Sequence, residues 1–479
     1  MGVVAVSAEK VIAAPPPVVF DRFGSGPDAG WLFDARCDRL ATGAFVSLHA
    51  PLGGPEPVAI LGRVSSLRRP GSITITHDQP WRGRIRLRFA STAGGTETRV
   101  RLVAEIDQRG LDWLMRRRGL PVREVPASGP RIGLLTSKSG SGSLFAAAAE
   151  NVASLAVDEI NAEGGVGGHP LELLVADDQT DPAIGAIEAR RLVRAGCVAI
   201  FVLTTSATFD AVSAALTASE CLVVQPQMNE GGDEHPLRIQ LGERPTVQLA
   251  AAVPAMMRAA NGKRWFLAGN DYTWPRQANA IAEVLLRAHG GRIVGKRYAA
   301  LGTSDFAPIV DAVMSSGADV VLNTFVGADA AAFERQCYAM GLRDQALSLG
   351  PAMDESTLDC IGERAAQGIY GISGYFQRLE TDGNNALLHR YREAFGQWAP
   401  SLSTLSESSF EAIHMWSVAA RRARTTEPRR VADEMRCGSY QFPRGTVVLD
   451  GTDRVQQQLY LAETKGGTFA ELFPIGDKE

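Results

Sequence analysis

Residues 131–182 constrain this chain more than any other stretch. They read RIGLLTSKSGSGSLFAAAAENVASLAVDEINAEGGVGGHPLELLVADDQTDP. An apolar run at 132–135 ends in a Ser/Gly loop, and an amphipathic segment at about 143–160 follows. Gly164, Gly165, Gly167 and Gly168 then lead to a second apolar run at 171–176, closed by Asp177-Asp178. Strand, polar loop, helix, turn and strand form the repeating unit of a parallel α/β sheet. Such sheets carry their ligand loops at the carboxyl ends of the strands. The stretch therefore sets both a fold class and the place to look for a site. The glycine cluster follows a helix instead of opening one after a strand, so it reads as a turn and not a phosphate loop.

The alternation continues downstream. Further strand candidates lie at 198–203, 221–225, 264–269, 292–298, 318–325, 345–349 and 369–376, with helices between them. Asp181-Pro182 pairs an N-cap with a first-turn proline and opens a helix through Val193. Asp305 or Ser304 caps a helix running to Met314. From 384 to 437 the pattern is mostly helical, and 440–474 returns to strands.

The front of the chain is different. A Pro- and Gly-rich linker at 119–130 divides the two parts. Up to Val125 there are 18 Lys and Arg against 12 Asp and Glu, while the remainder has 31 against 41. The front is thus basic and the back acidic. A strand at 4–12, a helix opening near Val18, a second short helix at 27–34 and strands at 43–50, 57–67, 72–77, 84–90 and 97–106 describe an α+β unit. In WRGRIRLRF (81–89), Trp81, Ile85, Leu87 and Phe89 point one way and Arg82, Arg84, Arg86 and Arg88 the other. That is a half-buried antiparallel strand, with its arginines on a solvated face. A short helix at 110–118, stopped by Gly119-Leu120-Pro121, ends the part. The pattern resembles the helix-grip (START-like, polyketide-cyclase-like) family, which encloses small apolar ligands between sheet and last helix.

Composition excludes several classes. No apolar run approaches the ~20 residues a membrane helix needs. The N-terminus, MGVVAVSAEKVIAAPPPVVF, lacks the basic n-region of a secretory signal, which implies a cytoplasmic location. The six cysteines (37, 197, 221, 337, 360, 437) show no CxxC pair and read as small buried hydrophobes. The seven histidines show no metal spacing, and neither a GxSxG elbow nor an HExxH helix is present. The arginine stripe and Arg116-Arg117-Arg118 lack interleaved stacking aromatics, so direct nucleic-acid binding is not expected. Nothing calls for a cofactor, a metal or a catalytic residue.

Three blocks carry a resemblance over about 130–475: DEINAEGGVGGHPLELLVADDQTDP at 158–182, GNDYTWPRQAN at 269–279 and NTFVGADAAAF at 323–333. They resemble the type I periplasmic-binding-protein family, in particular the branch of urea and short-amide binding proteins and the aliphatic-amide sensor of amidase operons. The resemblance implies an α/β fold of two doubly wound parallel-sheet lobes, preceded here by the small α+β helix-grip-like domain. It divides the chain into a domain at 1–120, a linker at 121–130 and a binding domain at 131–479. Lobe one would take 131–242 and 378–438, and lobe two 243–377 and 439–479. It implies a cytoplasmic sensor of a small amide, urea or related polar metabolite, read by a regulatory protein partner. In the amide-sensor branch that partner is an RNA-binding antiterminator. The alternative is the substrate-binding component of a transporter for urea, short amides or branched-chain amino acids. A third reading, an enzyme holding an apolar substrate in the front domain, has no motif behind it.

If the lobes are right, their strand-end loops converge. Lobe one offers Ser137 after the first strand, Thr204, Thr205 and Ser206 after the third, and Gln225 to Asn229 after the fourth, with Gln227 in its middle. Hydroxyls before a helix either cap it or meet a ligand oxygen together with free backbone N–H groups. The resemblance places a ligand serine at Ser206. It places the ligand-packing tyrosine at Tyr272, with Trp274 standing where amide sensors have a second tyrosine. Val326 and Met353 lie at the next two strand ends of lobe two, and Asp354 is a candidate acid for a ligand ammonium. Gln225, Gln227 and Thr204 replace residues that are tyrosine or threonine in amide sensors. The implied pocket is therefore more polar or roomier. Asp177-Asp178 closes a turn.

Overall fold

A computed structural model describes residues 4–24, 34–37, 39–50, 57–79, 81–106, 129–232 and 235–475. The chain divides into two compact units: Met1–Gly133 with Leu174–Ala176 and Arg190–Cys197, and Leu134–Leu173 with Asp177–Ala189 and Val198–Glu479.

In the first unit, β1 (Val4–Ile12), α1 (Pro16–Asp21), β2 (Asp34–Arg36), β3 (Phe45–Ala50), β4 (Val58–Arg68), β5 (Ser72–Gln79), β6 (Gly83–Thr92) and β7 (Glu97–Ile106) follow in order. The strands form one antiparallel sheet, β1-β7-β6-β5-β4-β3-β2. The alternation in β6 is realised. Trp81, Ile85, Leu87 and Phe89 are buried, while the Arg84 side chain is exposed and pairs with Glu105 at 2.8 Å. Phe20 of α1 packs on Phe89 with ring centroids 5.1 Å apart. Strand β2, with the sequence DAR, carries no apolar run that would announce it. Pairing with β3 makes it a strand. The expected helix at 27–34 lies outside the described residues except for Asp34, which opens β2, and the helix at 110–118 and most of the linker lie outside them too.

The rest of the chain alternates. It comprises β8 (Arg131–Thr136), α2 (Ala146–Ala162), β9 (Glu172–Asp177), α3 (Pro182–Arg194), β10 (Cys197–Leu203), α4 (Ser206–Ala215), β11 (Leu222–Gln225) and β12 (Arg238–Gln240). Then come α5 (Pro245–Ala259), β13 (Arg264–Asn270), α6 (Thr273–Ala288), β14 (Arg292–Ala299), α7 (Ala307–Ser316), β15 (Val320–Thr324), α8 (Gly327–Ala339), β16 (Leu347–Gly350), α9 (Glu355–Ile361) and β17 (Ile369–Ser373). It closes with α10 (Asp382–Phe395), α11 (Thr404–Ala423), α12 (Pro428–Met435), β18 (Cys437–Phe442), β19 (Gly445–Asp450), β20 (Val455–Gln456), β21 (Leu459–Lys465) and β22 (Thr468–Ile475). Asp181 accepts from the N–H groups of Ala183 and Ile184 at 2.7 and 3.2 Å, the cap its pairing with Pro182 announced. At α7 it is Asp305 that accepts, from the Ala307 N–H at 3.0 Å.

Two large sheets and a small one result. One runs β12-β11-β10-β8-β9; another runs β14-β13-β15-β16-β17-β21-β22, parallel up to β17 and antiparallel after it; β18-β19-β20 form a small antiparallel third. Strand β15 is buried along its whole length, as a strand covered by helices on both faces must be. Trp265, Leu267, Leu322 and Leu349 join Leu249, Val253 and Met256 of α5 and Leu286 of α6 in one core. This is a two-lobed α/β fold. The chain passes between lobes after β12, after β17 and again before β21. At these passages Arg444, 6% exposed, meets Glu243, Glu407 and Glu411 at 3.4, 2.7 and 2.9 Å. Glu243 also accepts from the Gly374 N–H at 2.7 Å, so one buried ion cluster ties the crossing segments together.

Among the described residues, no helix is long and apolar enough to cross a membrane, and no group of three or more His, Cys, Asp or Glu is placed to hold a metal. Cys197, Cys221 and Cys337 are buried as expected, but Cys437, in β18, is exposed.

Candidate functional site

The strand ends of both lobes meet at one apolar cluster. Met228, after β11, and Leu405, at the start of α11, come from lobe one. Tyr272 and Trp274 after β13, Val326 after β15 and Ala352 after β16 come from lobe two. Trp274 is 2% exposed. A strand aims alternate side chains at its two faces, but the residues beyond its carboxyl end are free to turn into the cleft, which is why all but one of these lie there. Asn270, the last residue of β13, fixes the wall. Its side chain accepts from the Val326 N–H at 3.0 Å and donates to Asp329 at 2.6 Å. Asp329 in turn accepts from the Gly302 N–H at 2.9 Å.

The lobe-one loops hold the polar side. Thr205 is the N-cap of α4, its hydroxyl accepting from the Thr208 N–H at 3.3 Å. Ser206, 7% exposed, is therefore not the cap. Burial pushes the Glu230 carboxyl above its ordinary range, against the pull of the nearby Ser206 hydroxyl. Burial, together with the carboxylates of Glu230 and Asp329, holds the Tyr272 phenol well above its usual value. Gln227 donates through Nε2 to the Thr204 carbonyl. A backbone bond also spans the lobes, where the Ala328 N–H donates to the Ser141 carbonyl at 3.0 Å.

Of the residues singled out in the sequence, Tyr272, Trp274 and Val326 come together, and Ser206 lies at the start of α4, buried. Thr204 and Gln227 are joined to each other. Three others have partners or neighbours nearer at hand. Thr205 caps α4. Ser137, 1% exposed, is near the Asp178 carboxylate, which accepts from Thr208 Oγ1 at 3.0 Å. Met353 tucks back over Gly350, where an added Cβ would lie 2.8 Å from its own, and the neighbouring Ala352 takes the cluster position. Asp354 is no free acid either. It caps α9, accepting from the Thr357 N–H at 2.9 Å and the Thr357 hydroxyl at 2.6 Å. The turn reading of Asp177 agrees with the structure, since it accepts from the N–H groups of Lys138 and Gln179 at 2.9 and 2.8 Å. Sequence reasoning missed Met228, Glu230, Ala352 and Leu405. The first three sit in or beside loops already marked by strand ends. Leu405 comes from a helix far along the chain and carries no local signal.

The arrangement is an apolar cluster where the strand ends of two lobes meet, with a few buried polar atoms beside it, and such strand ends are where ligands bind in α/β sheets. Residues 130–468 match the family described as "Periplasmic binding protein". The chain belongs to the periplasmic binding protein family. Among relatives, an amino acid binding protein of Pseudomonas aeruginosa is 24% identical over 322 residues, covering 66% of this chain and 84% of that protein. A Leu/Ile/Val-binding protein homolog of Brucella melitensis is 26% identical over 291 residues, covering 57% and 73%. The branched-chain amino acid transporter substrate-binding protein of Streptococcus pneumoniae, solved with isoleucine, shares the fold with a TM-score of 0.65 and 22% identity over 72% of this chain and 99% of that one. A solute-binding protein of Rhodopseudomonas palustris, solved with p-hydroxybenzoic acid, gives a TM-score of 0.67 at 20% identity over 73% and 98%. As periplasmic binding proteins, these relatives are named for binding and not for catalysis. The amide and urea branch and the helix-grip resemblance find no support among them.

Proposed function

We propose that this chain closes its two lobes over a small solute with an apolar body, holds it without covalent chemistry and releases it unchanged, as the substrate-binding component of an uptake system. The observation that carries this is the apolar cluster joining Met228 and Leu405 of one lobe to Tyr272, Trp274, Val326 and Ala352 of the other. A surface assembled from two hinged bodies binds most tightly when they are shut, so ligand shifts the open–closed equilibrium. Relatives named for amino acids and for Leu/Ile/Val, and structures holding isoleucine and p-hydroxybenzoic acid, support a ligand of that size. Titration calorimetry of the full chain against L-isoleucine, L-leucine, acetamide, urea and 4-hydroxybenzoate tests it. At least one should bind. Trp274→Ala should weaken that binding by tenfold or more while the protein still unfolds cooperatively. Heat from none of them, or the same affinity in the variant, refutes the proposal.

One observation favours a second role for the same site. The matched stretch starts at residue 130 and leaves a folded antiparallel unit outside it. A cytoplasmic sensor, whose closure a regulatory protein reads, would use such an addition. Cell fractionation separates the two roles, because uptake needs the protein at the envelope and sensing needs it in the cytoplasm.

A further inference from the structure

The polar atoms of the cleft are unequally satisfied. Gln227, 8% exposed, spends its Nε2 on the Thr204 carbonyl, which leaves Oε1 buried with no partner in the protein. The Glu230 Oε1 is likewise buried and unpartnered. Across the cleft, Trp274 is 2% exposed and its indole N–H has no acceptor. Native proteins leave few such groups, because each forfeits the hydrogen bonds it had with water. Here two acceptors flank Met228 in the chain, and Met228 and Trp274 belong to the same apolar cluster.

We infer that Gln227 and Glu230 form an acceptor subsite for a ligand nitrogen, and that the solute carries an N–H-donating head, an ammonium or a primary amide, on a small apolar body. An oxygen of the same solute meets the Trp274 indole. The inference rests on the cleft-binding reading and goes further by choosing between the two chemistries held by related structures. An aromatic carboxylate has no N–H to offer Gln227, and it brings an anion beside Glu230, where like charges repel. The carboxylate of Glu230 gives a charge-assisted bond to an ammonium and a weaker one to an amide.

Four ligands, the first three with the same isobutyl body, decide it by calorimetry on the full chain: L-leucine, isovaleramide, isovalerate and 4-hydroxybenzoate. Leucine or isovaleramide should bind at least about tenfold more tightly than either acid, as expected when an N–H donor is exchanged for an anion at a buried acceptor. Glu230→Gln then separates the two heads. A loss of about tenfold or more marks an ammonium, and a loss of about threefold or less, with Gln227→Leu costing more, marks an amide. Superposed thermal unfolding curves establish that the variants fold. If isovalerate or 4-hydroxybenzoate binds most tightly, or if both variants keep the wild-type affinities, the inference is overturned and the cleft-binding reading survives. If none of the four binds, both fall.

Discussion

Gly327→Ala separates the closing of the cleft from the folding of the lobe. Gly327 opens α8 with φ +54°, in the left-handed region, and an added Cβ would lie 2.4 Å from the Ser141 carbonyl oxygen of the opposite lobe. Ordinary contact begins at 3.4 Å, so the Ser141 loop must retreat by about 1 Å. That retreat breaks the 3.0 Å bond from the Ala328 N–H to the same carbonyl. Two costs follow. Left-handed backbone in a residue with a Cβ costs about 1 kcal/mol, and it applies whether the lobes are open or shut, so it appears in unfolding. The lost hydrogen bond costs about 1 kcal/mol and applies only to the closed state, with the steric term adding to it. Since 1.4 kcal/mol is tenfold in affinity, ligand should bind about five- to tenfold more weakly. The midpoint of thermal unfolding should fall by a few degrees. Calorimetry gives the first quantity and scanning calorimetry without ligand the second. Small-angle scattering should show that saturating ligand compacts the variant less than the wild type. A variant that loses stability yet keeps wild-type affinity and compaction refutes the latch. The Ser141 contact would then be as good in the open state as in the closed one.

Two further predictions bear on individual groups. Thr205→Ala removes the cap of α4 and should cost ~1 kcal/mol in urea unfolding while leaving the dissociation constant within about twofold. A tenfold loss of affinity at unchanged stability would make Thr205 a ligand contact after all. Glu355 is held up to about 8 by burial, reinforced by the neighbouring Asp354, while the Gln377 N–H at 2.7 Å pulls the other way. An acid raised on folding binds more protons in the native state, so its stabilisation is lost as pH rises from the ordinary 4.5 to about 8. Glu355→Gln keeps an acceptor for Gln377, and it should match the wild type near pH 5 and be more stable at pH 8 by ~1 kcal/mol or more. Parallel pH dependences of the urea midpoint in the two proteins would show that Glu355 is ionised throughout.

Periodicity carries far in this chain because it is a local property. The strand candidates of the back part and the two-faced pattern of 81–89 appear where the spacing of apolar residues placed them. Caps were equally legible, since Asp181-Pro182 needs only its own two neighbours. Pairing is not local, so β2, three residues long and polar at both ends, becomes a strand only by lying against β3. The cleft divides in the same way. Tyr272, Trp274 and Val326 were marked by strand ends and by a quoted block, and they meet. Ser137, Thr205 and Met353 were marked by the same logic, and each is diverted by a nearer partner: Asp178, the Thr208 N–H and the turn at Gly350.

The amino-acid order by itself determined most of the elements, the parallel α/β class and the loops from which a site would be built, because apolar periodicity and capping act within a few residues. The tertiary structure decided which of those side chains were free. Only it brought Leu405 across from α11 and gathered Arg444 with three glutamates where the chain passes between lobes. A polar group belongs to whatever lies within about 3 Å of it, and distances between residues far apart in the chain are set by packing alone.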